Sequence, residues 1–266
     1  MRTDIINANR IIIKIGTSSL TFPNGKLNLQ RIDKLSEVIT NLSNSGKEII
    51  LVTSGAIGAG VGKLNLKAKP TTLEMKQATA AIGQTYLMQI YQNYFSKYNQ
   101  ICAQILLTKD VIDNDFKRGN VLRTINELFK LGVIPIINEN DTVSTDEIIG
   151  KNFSDNDTLS SLVAVLTDAD LLIILSDIDG VYKKINGSLS KDYIDQVDVI
   201  TDEIYGYVED KSSGLGTGGM ASKLNALKYA MDNSIHSVIC NSTKLDIIYD
   251  CLNGDHVGTF FKGGNK

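Results

Sequence analysis

The sequence has little of what marks a secreted, metal-binding or nucleic-acid-binding protein. Its 266 residues include three cysteines, Cys102, Cys240 and Cys251, far apart and with no CxxC pair. They read as small buried apolar residues in a reducing compartment rather than as a disulfide framework. The two histidines, His236 and His256, are isolated and read as structural; no metal site is expected. There are three prolines and no Pro-rich linker, low-complexity tract or internal repeat. The net charge is −3, with no basic tail or stripe, which argues against a nucleic-acid partner. The opening stretch MRTDIINANRIIIKIG lacks a long apolar segment, so no secretion signal is expected. No apolar run approaches the roughly 20 residues needed to span a bilayer. These absences lead to the expectation of a soluble cytoplasmic protein with small-molecule partners.

What is present is an alternation. Short apolar runs occur at Arg10–Ile15, Glu48–Val52, Ile101–Leu107, Val133–Ile137, Leu171–Leu175 and Ser237–Cys240. Continuous runs of this length suit strands buried on both faces. Between them lie helical patterns. In LNLQRIDKLSEVITNLSNSG, residues Ile32, Leu35, Val38, Ile39 and Leu42 share one face, with Asn28 as N-cap and Gly46 as the stop. Leu73–Tyr98, Arg118–Lys130, Asp157–Leu166 and Met220–Met231 also read as helices. Strand and helix in turn predict an α/β fold: a three-layer αβα sandwich with an open, mainly parallel sheet. The chain reads as one domain with two lobes, residues up to about 165 and those from about 166 onward.

In open α/β sheets, ligands bind beyond the carboxyl ends of the strands, so the residues there are the candidates. After the first strand comes KIGTSSL. Lys14 sits inside an apolar run, where a lysine is costly without an anion. After the second comes VTSGAIGAGVG, read as a glycine loop, Ser54, Gly55, Gly58, Gly60 and Gly62, whose N–H groups could hold a carboxylate or phosphate. The fourth ends in NENDTV, where Asn138, Glu139, Asn140 and Asp141 suit an ammonium group. In SDNDTLSSL, Asp155, Asn156 and Asp157 exceed what a helix cap needs, and a carboxylate there could bridge lysines. Ser176 and Asp177 follow the fifth run.

The stretch SSGLGTGGMASK holds four glycines between Gly214 and Gly219. Gly214, Gly216 and Gly219 spell GxGxxG, but the segment before them is acidic and not strand-like, which rejects a dinucleotide fingerprint. GxxxxG is followed by Met220 where a Walker loop needs lysine, so that fails as well. Glycine N–H groups at a helix start, where the dipole leaves about half a positive charge, still suit polyphosphate. Lys223, one turn into the helix, can point back at the same anion. Lys14 and Lys223 thus converge on phosphate, the pattern phosphoryl transfer needs. Nothing resembles a general base, and a carboxylate acceptor needs none, being ionised at neutral pH.

Four segments, VTSGAIGAG (52–60), INENDTV (137–143), SDNDTLS (154–160) and SGLGTGGMASK (213–223), together resemble the amino acid kinase family, collinearly over nearly the whole chain. The likeness is strongest to its branch that phosphorylates the side-chain carboxylate of L-glutamate, the first step of proline synthesis. The resemblance implies ATP, with Mg²⁺ carried on it, as cofactors. It implies catalytic roles for Lys14, Lys223 and Asp157, the aspartate organising the two lysines. It implies glutamate contacts from Ser54, Asp141 and Asn156. It implies ATP contacts from Lys14, Ser176, Asp177, Thr217, Gly218, Gly219, Met220, Ala221, Ser222 and Lys223, with substrate binding in the first lobe and ATP binding in the second. Homo-oligomers, dimers or tetramers, and feedback inhibition by proline are implied likewise; the helical stretch 73–95 has the apolar surface for an interface. A C-terminal PUA domain, common in bacterial members, is not expected after Lys266. Two other readings stay open: a sister kinase acting on N-acetylglutamate, aspartate, carbamate or UMP, and a non-catalytic nucleotide-binding sensor. Asp141 separates the first, since an acid suits a free ammonium and repels phosphate.

Overall fold

Strands form where Ile, Val and Leu run without polar alternation. The computed structural model describes residues 2–22, 24–143, 155–185, 188–208 and 219–264. A one-turn helix α1 (Thr3–Ile6) precedes β1 (Arg10–Ile15), which is buried from Ile11 to Ile15. A second single turn, α2 (Thr17–Leu20), leads to α3 (Leu29–Asn44). The Asn28 side chain caps α3 by accepting from the Arg31 N–H, and Gly46, at φ +91°, turns the chain after its end. Its buried face is Ile32, Leu35, Val38, Ile39 and Leu42, each side chain contributing about 1.5–3 kcal/mol on burial. Then come β2 (Glu48–Thr53), α4 (Ala56–Leu64), α5 (Leu73–Lys97), β3 (Ile101–Leu107), α6 (Lys109–Asp113), α7 (Asp115–Lys130) and β4 (Val133–Glu139). Beyond residue 154 follow α8 (Asn156–Leu166), β5 (Leu171–Ser176), β6 (Tyr182–Ile185), β7 (Ser188–Tyr193), β8 (Gln196–Val197) and α9 (Asp202–Val208). The chain continues with α10 (Met220–Asp232), β9 (His236–Asn241), α11 (Ile247–Leu252) and β10 (Thr259–Phe261).

The chain divides into two compact units, Ile15–Asn156 and Met1–Lys14 with Asp157–Lys266. This differs from lobes meeting near residue 165. The N-terminal segment packs with the C-terminal half, and the reason is hydrogen bonding. Asp170 Oδ2 accepts from the N–H groups of Asn9 and Arg10 (2.8 and 2.9 Å), and the Asp170 N–H donates to the Arg10 carbonyl. The Arg2 guanidinium, buried to 4% exposure, donates to the carbonyls of Val257, Asp195 and Gly258 and pairs with the Asp195 carboxylate.

In the first unit the strand order is β3-β4-β2, all parallel, with Ile101 opposite Val133 and Leu51 opposite Ile136. Helix α3 packs on β2, α7 on β4, and α5 on both β3 and α3. The segment read from sequence as a glycine loop is corrected here: Gly58, Gly60 and Gly62 lie inside α4. They are there for close packing. A Cβ on Gly60 would sit 2.1 Å from the Thr79 carbonyl oxygen, and one on Gly83 would sit 1.8 Å from that of Ala56. Glycines on both helices let α4 and α5 touch backbone to backbone. Much of α5, including Leu87, Met88, Tyr91 and Phe95, is spent inside this unit.

In the second unit the order is β1-β5-β9-β10-β8. β5 runs parallel to β9, while β10 is antiparallel to β9 and parallel to β8. β6 and β7 form a separate antiparallel pair. All three cysteines are buried and unbridged; burial pushes the thiol of Cys102 up to about 11 and that of Cys251 to about 12. His256 Nδ1 lies 2.9 Å from the Asp195 carboxylate, and His236 Nδ1 accepts from the Gly263 N–H.

The α4–α5 contact yields a prediction. Gly83→Ala drives a methyl group into the Ala56 carbonyl and is expected to lower unfolding free energy by about 1–3 kcal/mol or more. Urea denaturation of the two proteins measures it; unchanged stability would mean that the helices do not meet this closely.

Candidate active site

The second unit gathers its charged candidates on one buried carboxylate. Lys14 arrives on β1, Asp157 in the first turn of α8 and Lys223 in the first turn of α10. Lys14 Nζ lies 2.6 Å from Asp157 Oδ1 and Lys223 Nζ 2.7 Å from Oδ2. The side chains are 7%, 2% and 14% exposed for Lys14, Asp157 and Lys223. Burial by itself raises the Asp157 pKa; the two ammonium groups outweigh it and hold the carboxyl below the usual range. Two ammonium groups thus sit together on one carboxylate. Ammonium groups held in this way suit the oxygens of a phosphate group.

The other nucleotide candidates are in the same unit. Ser176 ends β5, buried, its hydroxyl donating to Asp177 Oδ1 at 3.2 Å; Asp177 itself is exposed. Gly219 is the N-cap of α10 and offers no side chain to cap it. Met220, Ala221, Ser222 and Lys223 form the first turn; the Ser222 and Lys223 N–H groups donate to the Gly219 carbonyl, and those of Met220 and Ala221 at the helix start suit an anion. Thr217 and Gly218, with most of the glycine stretch, lie outside the described residues. Among the described residues no three His, Cys, Asp or Glu side chains gather as a metal cluster.

The first unit carries a set of buried amides. Asn156 Nδ2 shares its two N–H groups among three acceptors, the Thr53 carbonyl (3.0 Å), the Ser54 hydroxyl (2.7 Å) and Asn138 Oδ1 (3.1 Å). Asn138 Nδ2 donates to Gln84 Oε1 at 2.7 Å. The Thr53 hydroxyl shares a 2.9 Å hydrogen bond with the Tyr91 phenol. Asp141, two residues past β4, is 7% exposed. The fold thus joins Ser54 to Asn156 directly and buries Asp141 in the same unit. Sequence reasoning missed Gln84. The signal was there: Ala80, Gln84, Met88 and Tyr91 recur at helical spacing on the buried face of α5, and Gln84 sets an amide among them. Asn156 Oδ1 and Gln84 Nε2 are buried without a hydrogen-bond partner among the described residues, each a cost of about 1–3 kcal/mol unless something answers it.

The fold is one that known phosphotransferases share. A carbamate kinase from Giardia lamblia solved with AMP-PNP superposes with a TM-score of 0.65 over 97% of this chain and 100% of that one, at 14% identity. The amino acid kinase family model matches residues 9–241, and the chain belongs to the amino acid kinase family. It is 48% identical to a protein of Clostridium perfringens over 98% of both chains, and 46% identical to one of Enterococcus faecalis over 100% of this chain and 99% of that one. Both relatives are named glutamate 5-kinase.

Asp157 links stability to pH. Its pKa is depressed in the folded chain, so its stabilisation is complete above the ordinary aspartate value near pH 4 and fades as pH falls through the folded value. Asp157→Asn is expected to cost about 3 kcal/mol at neutral pH, because two buried ammonium groups lose their partner. The gap from wild type should narrow in acid; equal stability at pH 7 would remove Asp157 from this role.

Proposed function

We propose that this chain transfers the γ-phosphoryl group of ATP to the side-chain carboxylate of L-glutamate, giving L-glutamyl 5-phosphate, the first step of proline biosynthesis. One observation carries the reading: two lysines from opposite ends of the chain share one buried carboxylate beside a glycine-capped helix start. Phosphoryl transfer asks for such preorganised charge on the transferring oxygens and little covalent chemistry from the protein. In this reading Lys14 and Lys223 hold the transferring phosphoryl and Asp157 positions both. The first turn of α10, with Ser176 and Asp177, takes the nucleotide. Mg²⁺, carried by ATP, neutralises charge between the β- and γ-phosphates.

The acceptor follows from the relatives' shared name and from the first unit. Ser54 and Asn156 offer a hydroxyl and an amide, and Asp141 a carboxylate suited to a free ammonium. An acid at Asp141 disfavours UMP, whose phosphate it would repel, and an acetylated amine would not use it. Homo-oligomer formation, proline inhibition and a cytoplasmic location rest on the family resemblance alone. Among the described residues no helix is long and apolar enough to cross a membrane.

The test is ADP release with ATP and Mg²⁺ across L-glutamate, N-acetylglutamate, L-aspartate and UMP, with hydroxylamine present to trap an acyl phosphate. Hydroxamate with L-glutamate alone is the expected result. Lys14→Ala and Lys223→Ala should each lower kcat by about 10²–10³; near-normal turnover in both would refute the mechanism. Asp141→Asn should chiefly raise the KM for L-glutamate, by about tenfold or more, as a charged hydrogen bond is lost.

A further inference from the structure

The buried amides of the first unit have a fixed direction. A carbonyl oxygen can only accept, so the contact of Asn156 with the Thr53 carbonyl assigns its Nδ2 to that side. A backbone N–H can only donate, so the bond from the Glu139 N–H assigns Asn138 Oδ1. Asn138 therefore turns its Nδ2 to Gln84 and takes the Gln84 oxygen as acceptor. Two backbone groups thus orient all three side chains. The row leaves an unanswered acceptor, Asn156 Oδ1, at one end and an unanswered donor, Gln84 Nε2, at the other. Both side chains belong to residues only 7% exposed. One free donor and one free acceptor, held in place inside a protein, are the complement of a zwitterion.

We propose that Gln84 reads the α-carboxylate of the amino-acid acceptor, its Nε2–H donating to that carboxylate, while Asn156 Oδ1 accepts from the α-ammonium. The assignment rests on the acceptor being an amino acid, as in the proposed function, and adds the group that selects for its free carboxylate. Gln84 is a specificity residue that does not touch the transferring phosphoryl. Its seat depends on Gly83, whose missing Cβ lets α5 lie against α4.

Gln84→Glu isolates the donor. The variant keeps an oxygen for Asn138 Nδ2 and replaces only the free N–H with a carboxylate oxygen. Wild type and Q84E are assayed by hydroxamate formation on L-glutamate and on its α-amide, which keeps the side-chain carboxylate. Q84E should raise the KM for L-glutamate at least about tenfold with the KM for ATP unchanged. The wild-type preference for L-glutamate over the α-amide should fall by a similar factor, since the introduced carboxylate can accept from the amide. A role confined to holding Asn138 would leave both ratios in place. A KM for L-glutamate within about twofold of wild type, or equal losses on both acceptors, would overturn the assignment. If Q84E does not fold, Gln84→Met, of similar shape without the donor, must still raise the KM for L-glutamate; an unchanged KM overturns the assignment. No hydroxamate from the wild type on L-glutamate would overturn the proposed function and this assignment with it.

Discussion

A carboxylate at 2% exposure stays ionised only with strong help, and Asp157 receives it from two ammonium groups. Much of the second unit is arranged around that requirement. Lys14 must sit in a strand that is otherwise mostly Ile, so β1 carries a buried charge among apolar neighbours. Residues 1–14 must pack with the C-terminal half, and Arg2 and Asp170 pin them there. Lys223 must lie in the first turn of α10, where its side chain leans back toward the helix start. Stability alone does not account for the trio, because well-packed apolar residues of similar volume would hold these elements as firmly. What the trio supplies and an apolar core cannot is a pair of ammonium groups held at fixed positions by one carboxylate.

The first unit solves a different problem with similar economy of means. Its polar side chains lie inside an α/β core, where every unmatched group is penalised. Within the amide row, two backbone groups, the Thr53 carbonyl and the Glu139 N–H, set the direction of the side chains. The approach of α4 to α5 depends on glycine: a Cβ at position 60 or 83 would clash with backbone of the facing helix, and Gly83 is the neighbour of Gln84. Backbone groups in this unit thus decide hydrogen-bond polarity along the amide row.

The strands were legible because apolar runs cover both faces, and their observed ends differ by two residues or fewer from the sequence reading. Capped amphipathic helices were legible for the same kind of reason: Asn28 and Gly46 bracket α3. The segment after β2 was not. Its glycines read as a loop because isolated propensity disfavours glycine in helices, and the tertiary demand for contact between α4 and α5 overrode that. The β6–β7 pair escaped notice because its strands are short and largely exposed, with little apolar periodicity to read. The division between units came at Asn156–Asp157 rather than near residue 165, since it follows hydrogen bonds made by the N-terminal strand that no local pattern displays. Charged candidates stood out as polar residues at strand ends. Gln84 did not, because one polar residue on a helix face is common.

Asn156 and Asp157 are consecutive, at the start of one helix, and their side chains serve opposite chemistries. On an α-helix successive side chains point about 100° apart, so neighbours in sequence address different surroundings. Asn156 turns to amides and a hydroxyl in the first unit, Asp157 to two lysines in the second. A neutral amide suits the first setting, where donor and acceptor are both wanted. An ionised acid suits the second, where two positive charges must be held. Exchanging the two residue types would put an uncompensated charge among amides and leave two ammonium groups unpaired. The order Asn-Asp therefore matches the partners that each side chain has, and a helix start can carry both because each finds its partners outside its own helix.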